Sequence, residues 1–156
     1  RRHPRTEDNL RVMARWERAK LEDAFTPEEK EMLKDPDREF FLFEDPKGRF
    51  ELCACRQLTP DNESGVRAFL FRREAKSCIL YWHTSGEATL RLPLSDSRPT
   101  LTDDRGARIS FRRNGDHYLL PAAGRAILEM DLSEAEAERL FLEAIKPLNQ
   151  PIEPAQ

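Results

Sequence analysis

The chain has 156 residues, a length that suits one domain or a small domain with a helical extension. Apolar residues make up 38% and charged residues 35%, and the formal net charge is -3, so the basic excess typical of nucleic-acid-binding proteins is absent. No apolar run approaches the roughly 20 residues of a membrane span, and no signal peptide is recognisable, so we expect neither nucleic acid nor a membrane as a partner.

The cysteine and histidine pattern predicts no metal site and no cofactor. The three cysteines leave at least one thiol unpaired. Cys53 and Cys55 lie two apart on one strand face, where a mutual disulfide would be strained. Neither C-x-x-C nor H-x-x-x-H occurs. Free thiols favour a reducing compartment, so we expect a cytoplasmic protein. The chain begins at Arg1 rather than methionine, which we interpret as a piece cut from a longer protein.

Residues 1–36 are predicted to form a helical linker or extension. A first helix over residues 6–24 has acidic side chains near its start, where the helix dipole favours them. Its apolar positions spread over more than one face, which predicts docking on sequence outside this chain. They are Leu10, Val12, Met13, Trp16, Ala19 and Leu21. A second, short helix opens at Thr26-Pro27 and ends at Asp35-Pro36.

The middle of the chain, residues 37–146, reads as a β-domain with a C-terminal helix. Predicted strands cover residues 39–43, 49–55, 66–71, 77–83, 87–94, 100–102, 107–112, 118–120 and 126–130. The strands at 66–71 and 77–83 are apolar in both alternating sets, which is typical of strands covered on both faces. Turn residues between the strands predict antiparallel connections.

Two strands, residues 77–83 and 87–94, are predicted to pair as the central hairpin. The second alternates, with Leu90 and Leu92 facing inward and Thr89 and Arg91 facing solvent. Residues 84–86 would form the tight turn, because Gly86 can take a positive φ.

A second helix signal follows the last strand. Ser133 and Glu136 match a capping box, and the helix places Leu140, Phe141, Ala144 and Ile145 on one face. The tail over residues 147–156 is expected to be loose. The predicted fold is therefore mainly β, α+β by content: an antiparallel β-sandwich with N-terminal helices and one C-terminal helix.

The residues that carry chemistry in other proteins have no matching context here. His83 and Ser85 lie close together, but a serine hydrolase needs a strained elbow and an oxyanion hole as well. We therefore predict no catalytic residue. Trp16, Trp82 and Tyr118 are the candidates for stacking against a sugar, although core packing is the better interpretation of Trp82.

Three segments, taken in sequence order, resemble part of a known family of domains. They are Y-W-H-T-S-G-E-A-T-L-R-L-P-L, T-L-T-D-D-R-G-A-R-I and Y-L-L-P-A-A-G-R-A-I-L, between Tyr81 and Leu128. In this order they resemble the C-terminal antiparallel β-domain that follows the (β/α)8 barrel in many bacterial glycoside hydrolases. The resemblance covers residues 39–130, and the final helix departs from the commonest form of such domains. It implies a catalytic barrel N-terminal to this chain in the same polypeptide, with the catalytic carboxylates in that barrel.

The expected function is that of a non-catalytic accessory domain of a carbohydrate-active protein, packing on and stabilising the catalytic barrel. Two alternatives stay open. One is a carbohydrate-binding module that uses exposed aromatic side chains. The other is a free-standing cytosolic protein-interaction domain.

Overall fold

A computed structural model describes residues 26–32, 39–44, 50–103 and 105–152. These parts of the chain are mainly β with antiparallel pairing, as the sequence predicts. The chain divides into two compact units, residues 1–56 and 57–156, whereas the sequence places a boundary after residue 36. The predicted helix over residues 6–24, and with it Trp16, lies outside the described residues.

The N-terminal unit contains a short helix and a β-hairpin. Helix α1 covers Pro27–Met32, and its first turn closes through a hydrogen bond of 2.9 Å from the Lys30 amide to the Thr26 carbonyl. Strands β1 (Glu39–Glu44) and β2 (Phe50–Gln57) pair antiparallel, with Glu44 opposite Phe50. The hairpin predicted for this stretch is confirmed, and its turn lies outside the described residues.

The C-terminal unit holds the remaining elements. They are β3 (Glu63–Ser64), β4 (Val66–Arg73), β5 (Lys76–His83), β6 (Ala88–Pro93), β7 (Thr100–Asp103), β8 (Arg112–Asn114), β9 (His117–Ala122), β10 (Ala126–Met130), α2 (Glu134–Ile145) and β11 (Gln150–Pro151). Strands β4, β5, β10 and β7 lie side by side in that order in one sheet. Strands β6, β9 and β8 form a separate sheet, and β11 pairs with β3.

The predicted central hairpin is wrong. Both strands exist, but β5 pairs with β4 on one side and with β10 on the other, so neither of its edges is open to β6. Strand β6 pairs with β9 in the other sheet. Residues 84–86 therefore carry the chain from one sheet to the other. Gly86 has φ 152 and the Thr84 amide donates to the Gly65 carbonyl at 2.8 Å.

The hairpin that does form joins β4 to β5. Its turn is Glu74-Ala75, and both residues have positive φ (52 and 63), the geometry that matches the twist of paired strands. Side chains on both faces of these strands are buried. Leu70 and Ile79 are paired on one face, and Phe71 and Leu80 lie on the other. The prediction of strands covered on both faces is confirmed.

The predicted strand over residues 107–112 is reduced to a single bridge between Thr102 and Arg108. The Ile109 amide donates to the Leu101 carbonyl at 2.9 Å, and regular pairing resumes only at β8. Ile109 and Phe111 are half-buried against the core, as their alternation predicts. The Gly106 turn before the bridge (φ 86) brings the chain back beside β7.

The core of the C-terminal unit takes side chains from both sheets and from α2. The inward residues of α2 are Ala137, Leu140, Phe141, Ala144 and Ile145, which includes every position predicted for that face. The capping box forms only in part. Ser133 Oγ accepts from the Glu136 amide at 3.2 Å, but the Glu136 carboxylate binds Arg139 instead of reaching back to the cap.

The tail is not loose between Leu148 and Ile152, which corrects the sequence prediction for these residues. Asn149 lies against the start of β4, and the Ile152 amide donates to the Asn62 carbonyl at 2.7 Å. Gly65 permits this approach, because a Cβ there would lie 2.6 Å from the Leu148 carbonyl oxygen. Its φ of 122 is also one that side-chain-bearing residues avoid.

Candidate functional site

The sheet of β6, β9 and β8 has one face toward the core and one face turned away from it. Leu90, Leu92 and Leu120 are buried, and the residues between them in sequence point to the opposite side. The outward positions form an ordered array because the registers of the two pairs are fixed. Thr89 lies opposite Pro121, and Leu119 lies between Arg91 and Arg112.

An open groove of about 410 Å³ crosses this outward face. Its lining residues are Thr89, Ser110, Phe111, Arg112, Leu119 and Pro121. The volume is within the range of roughly 300–1,000 Å³ that ligand sites occupy. The lining combines an apolar floor with two hydroxyls and a guanidinium, a composition suited to binding an amphipathic ligand.

Two arginines dominate the charge of this face. Arg91 and Arg112 are exposed and pair in register with the same residue, Leu119, from opposite sides. Two strand spacings put their Cα atoms about 10 Å apart. Within the described part of the chain, neither guanidinium has an ion pair or a hydrogen bond. Glu87 follows the same alternation as Thr89 at the far end of β6.

Local sequence features hold the groove in shape. The β8–β9 turn is built on Gly115, whose φ of 62 is the left-handed conformation that Asn-Gly turns adopt. The Leu94 amide donates to the Asp116 carbonyl at 3.0 Å, which extends the ladder past β6. The Tyr81 hydroxyl, which belongs to the other sheet, donates to the Pro121 carbonyl at 2.8 Å.

The aromatic candidates from the sequence lie elsewhere. Trp82 is half-buried on β5, stacked on Phe69 with ring centroids 5.9 Å apart and with the Arg125 guanidinium 5.6 Å above its ring. Tyr118 is half-buried and makes an edge contact with Phe111 at 5.7 Å. The structure thus does not bring Trp82 and Tyr118 onto one exposed platform.

The His83–Ser85 pair makes a turn contact. The Ser85 backbone amide donates to His83 Nδ1 at 3.3 Å, so the contact does not use the serine hydroxyl. The neighbouring Thr84 hydroxyl accepts from the Gly65 amide at 3.2 Å. Both contacts organise the crossing between the sheets.

One of the two free cysteines of the described chain, Cys78, has a buried thiol. Cys78 is 1% exposed, and burial raises the pKa of its thiol to about 12, with the charge of Glu129 acting in the same direction. A thiol with that pKa is protonated at neutral pH and is a poor nucleophile. Among the described residues, no group of three or more His, Cys, Asp or Glu side chains is placed to hold a metal ion. None of the helices in those same ranges is long and apolar enough to cross a membrane.

Sequence analysis identifies only part of this outward face. The alternation of β6 places Thr89 and Arg91 on the solvent side, as predicted. It does not identify Arg112 and Leu119 as their neighbours, because the sequence pattern pairs β6 with β5, whereas the structure pairs it with β9. The available signal was the Asn114-Gly115 turn, which joins β8 to β9 and so fixes Arg112 opposite Leu119.

Comparison of the chain with family models, with curated proteins and with solved structures finds no match.

Proposed function

We propose that this chain is a non-catalytic accessory β-domain of a larger carbohydrate-active protein, and that it binds ligand in the groove across β6, β9 and β8. The groove carries the proposal. Its lining combines the apolar side chains of Leu119 and Pro121 with polar side chains that have no hydrogen-bond or ion-pair partner within the described chain. The side chains facing the core supply the stability of the fold, so the outward side chains are available for binding.

The aromatic rings favour the groove over a stacking platform as the binding surface. Trp82 is stacked on Phe69, and Tyr118 makes an edge contact with Phe111, so part of each ring is already covered. Leu119 and Pro121 face the groove.

The proposal includes a sandwich arrangement of the two sheets and a role in stabilising an adjoining catalytic barrel. The shared core supports the sandwich, since Leu128 of one sheet and Leu120 of the other belong to the same buried cluster as Phe141 of α2. The hydrogen bond from Tyr81 to Pro121 links the two sheets directly.

The test is a titration of the chain with a panel of neutral and acidic oligosaccharides, followed by amide NMR, with product analysis of the same samples. We expect shifts at Thr89, Ser110 and Leu119 and no new product. A Leu119→Glu variant should lose the shifts, because it places a charge on the apolar floor. Turnover that disappears in His83→Ala or Ser85→Ala would overturn the non-catalytic assignment.

A further inference from the structure

The groove has a chemical preference that can be derived from its charges. Arg91 and Arg112 extend from β6 and β8 on the same side of the sheet, with the apolar Leu119 between them. Both side chains are exposed cations, and no acid of the described chain pairs with either of them. An anion placed over Leu119 would bind both guanidiniums.

We propose that the groove binds a saccharide through its carboxylate, held between Arg91 and Arg112 over Leu119; this inference rests on the proposed binding function. Arginine suits the task, because its planar fork matches the two oxygens of a carboxylate. The ligand class is therefore a sugar acid within a chain, that is, a uronate-bearing oligosaccharide.

The rest of the groove matches the rest of such a ligand. The side chains of Leu119 and Pro121 offer an apolar surface to the C–H face of a sugar ring. Thr89 and Ser110 are exposed and provide hydroxyls that both donate and accept hydrogen bonds, as sugar hydroxyls require.

Charge also fixes the direction of binding. Arg112 lines one end of the groove, and Arg91 lies beside that end, on the other side of Leu119. Thr89 lies toward Glu87, which is exposed just before the first residue of β6. A second carboxylate near Glu87 would be repelled. The acidic sugar therefore occupies the Arg91–Arg112 end, and the hydroxyls of its neighbour lie near Thr89.

The experiment uses the whole chain and three probes: trimers of uronic acids, neutral trisaccharides of the same linkage, and inorganic phosphate. Binding is followed through the amide signals of Thr89, Ser110 and Leu119. We expect the uronate trimers to bind and the neutral trimers to bind at least tenfold more weakly. Raising the salt to 1 M should weaken uronate binding, because the screening length falls to about 3 Å.

The variants separate the two arginines from general charge effects. Arg91→Ala and Arg112→Ala should each weaken uronate binding about fivefold to tenfold, and the double variant should abolish it. Arg113→Ala is the matched control. It removes the same charge from the same strand, but Arg113 follows the opposite alternation and its Nε donates to the Gly115 carbonyl. The affinity of the Arg113→Ala variant for the uronate trimers should be unchanged.

The outcomes separate the anion inference from the proposed binding function. Equal binding of uronate and neutral trimers, unaffected by Arg91→Ala or Arg112→Ala, would overturn the anion inference and leave the binding domain standing. Binding of phosphate alone would overturn the saccharide assignment. Absence of any shift in the groove with every saccharide would overturn both.

Discussion

At the scale of single residues, Asn149 binds the backbone of Val66, the first residue of β4. Its Oδ1 accepts from the Val66 amide at 2.7 Å, and its Nδ2 donates to the Val66 carbonyl at 3.0 Å. One side chain thus satisfies both backbone groups on the side of β4 that faces away from β5. Val66 is 1% exposed, so these groups have little access to water.

Asn149→Ala should therefore destabilise the protein more than its half-exposed position suggests. Leaving buried backbone groups unpaired costs about 1–3 kcal/mol for each group. Urea unfolding monitored by circular dichroism measures the change. Gln150→Ala, at the exposed neighbouring position, is the control and should change the free energy of unfolding by no more than about 0.5 kcal/mol. Equal stability of Asn149→Ala and the native chain would show that the tail does not contribute to folding.

Cys78 gives a dependence of stability on pH. The thiol has an ordinary pKa of 9.0 and a pKa of about 12 in the folded protein, because burial disfavours the thiolate. Above pH 9 the unfolded chain loses a proton that the folded chain keeps. The contribution of Cys78 is thus fully present below pH 9 and is lost as the pH rises toward 12. Burial raises the pKa of Tyr81 as well, and this adds a loss of the same sign.

The measurement is the free energy of unfolding between pH 8 and 11 for the native chain and for Cys78→Ala. We expect a shallower decline in the variant, because the contribution of the Cys78 thiol has been removed. The charges of Arg72 and Arg73 oppose the shift, and that of Glu129 reinforces it. Parallel pH profiles would contradict the assignment. A thiol reagent at pH 8 should likewise modify Cys78 only after unfolding.

At the scale of elements, α2 depends on its N-cap. Ser133 supplies the only side-chain cap seen at this end of the helix within the described residues. Glu136 is held instead by a bidentate contact with Arg139, at 3.0 and 2.9 Å. That hydrogen bond keeps the pKa of the Glu136 carboxyl below its usual value. Competition between a nearby guanidinium and the cap amide explains why the predicted capping box is incomplete.

Ser133→Ala should lower the free energy of unfolding by about 1 kcal/mol, the usual loss for removal of a helix cap. Ser133→Asp keeps an acceptor at the cap and should retain most of the stability. Chemical denaturation of the two variants and of the native chain measures the change in the free energy of unfolding. A loss in Ser133→Asp as large as that in Ser133→Ala would point to packing at this position rather than capping.

At the scale of the whole C-terminal unit, α2 completes the core that the two sheets share. Phe141 is fully buried, and its ring lies 5.3 Å from that of Tyr81, whose hydroxyl reaches the second sheet. One helix side chain thus contacts the residue that links the sheets. Loss of that contact should therefore destabilise the packing of both sheets.

Phe141→Ala should destabilise the protein by about 3–5 kcal/mol, as large-to-small changes of buried aromatics do. Glu143→Ala on the same helix is the control. Its side chain is 61% exposed, so the change should stay within about 0.5 kcal/mol. Thermal unfolding compares the two. A small effect of Phe141→Ala would mean that the sheets hold together without the helix.

The sequence alone determined the local elements of this protein. Alternation places Leu90 and Leu92 inside and Arg91 outside, and the Ser133 cap and apolar stripe define α2 almost residue by residue. These features depend on neighbours within one turn or one strand, so they can be derived from short stretches of sequence. The turns at Gly106 and Gly115 belong to the same class, since each requires a backbone conformation that glycine favours.

Only the tertiary structure decided which strands pair. The turn at residues 84–86 suits a hairpin, but β10 occupies the edge of β5 that β6 would have used. Each strand edge can pair with any of several other strands. Neither the β-propensity nor the alternation of a single strand predicts which partner it takes. Consequently the tertiary fold, rather than any motif, brought Arg91 and Arg112 to the two sides of Leu119. The chemistry of the groove depends on that long-range choice.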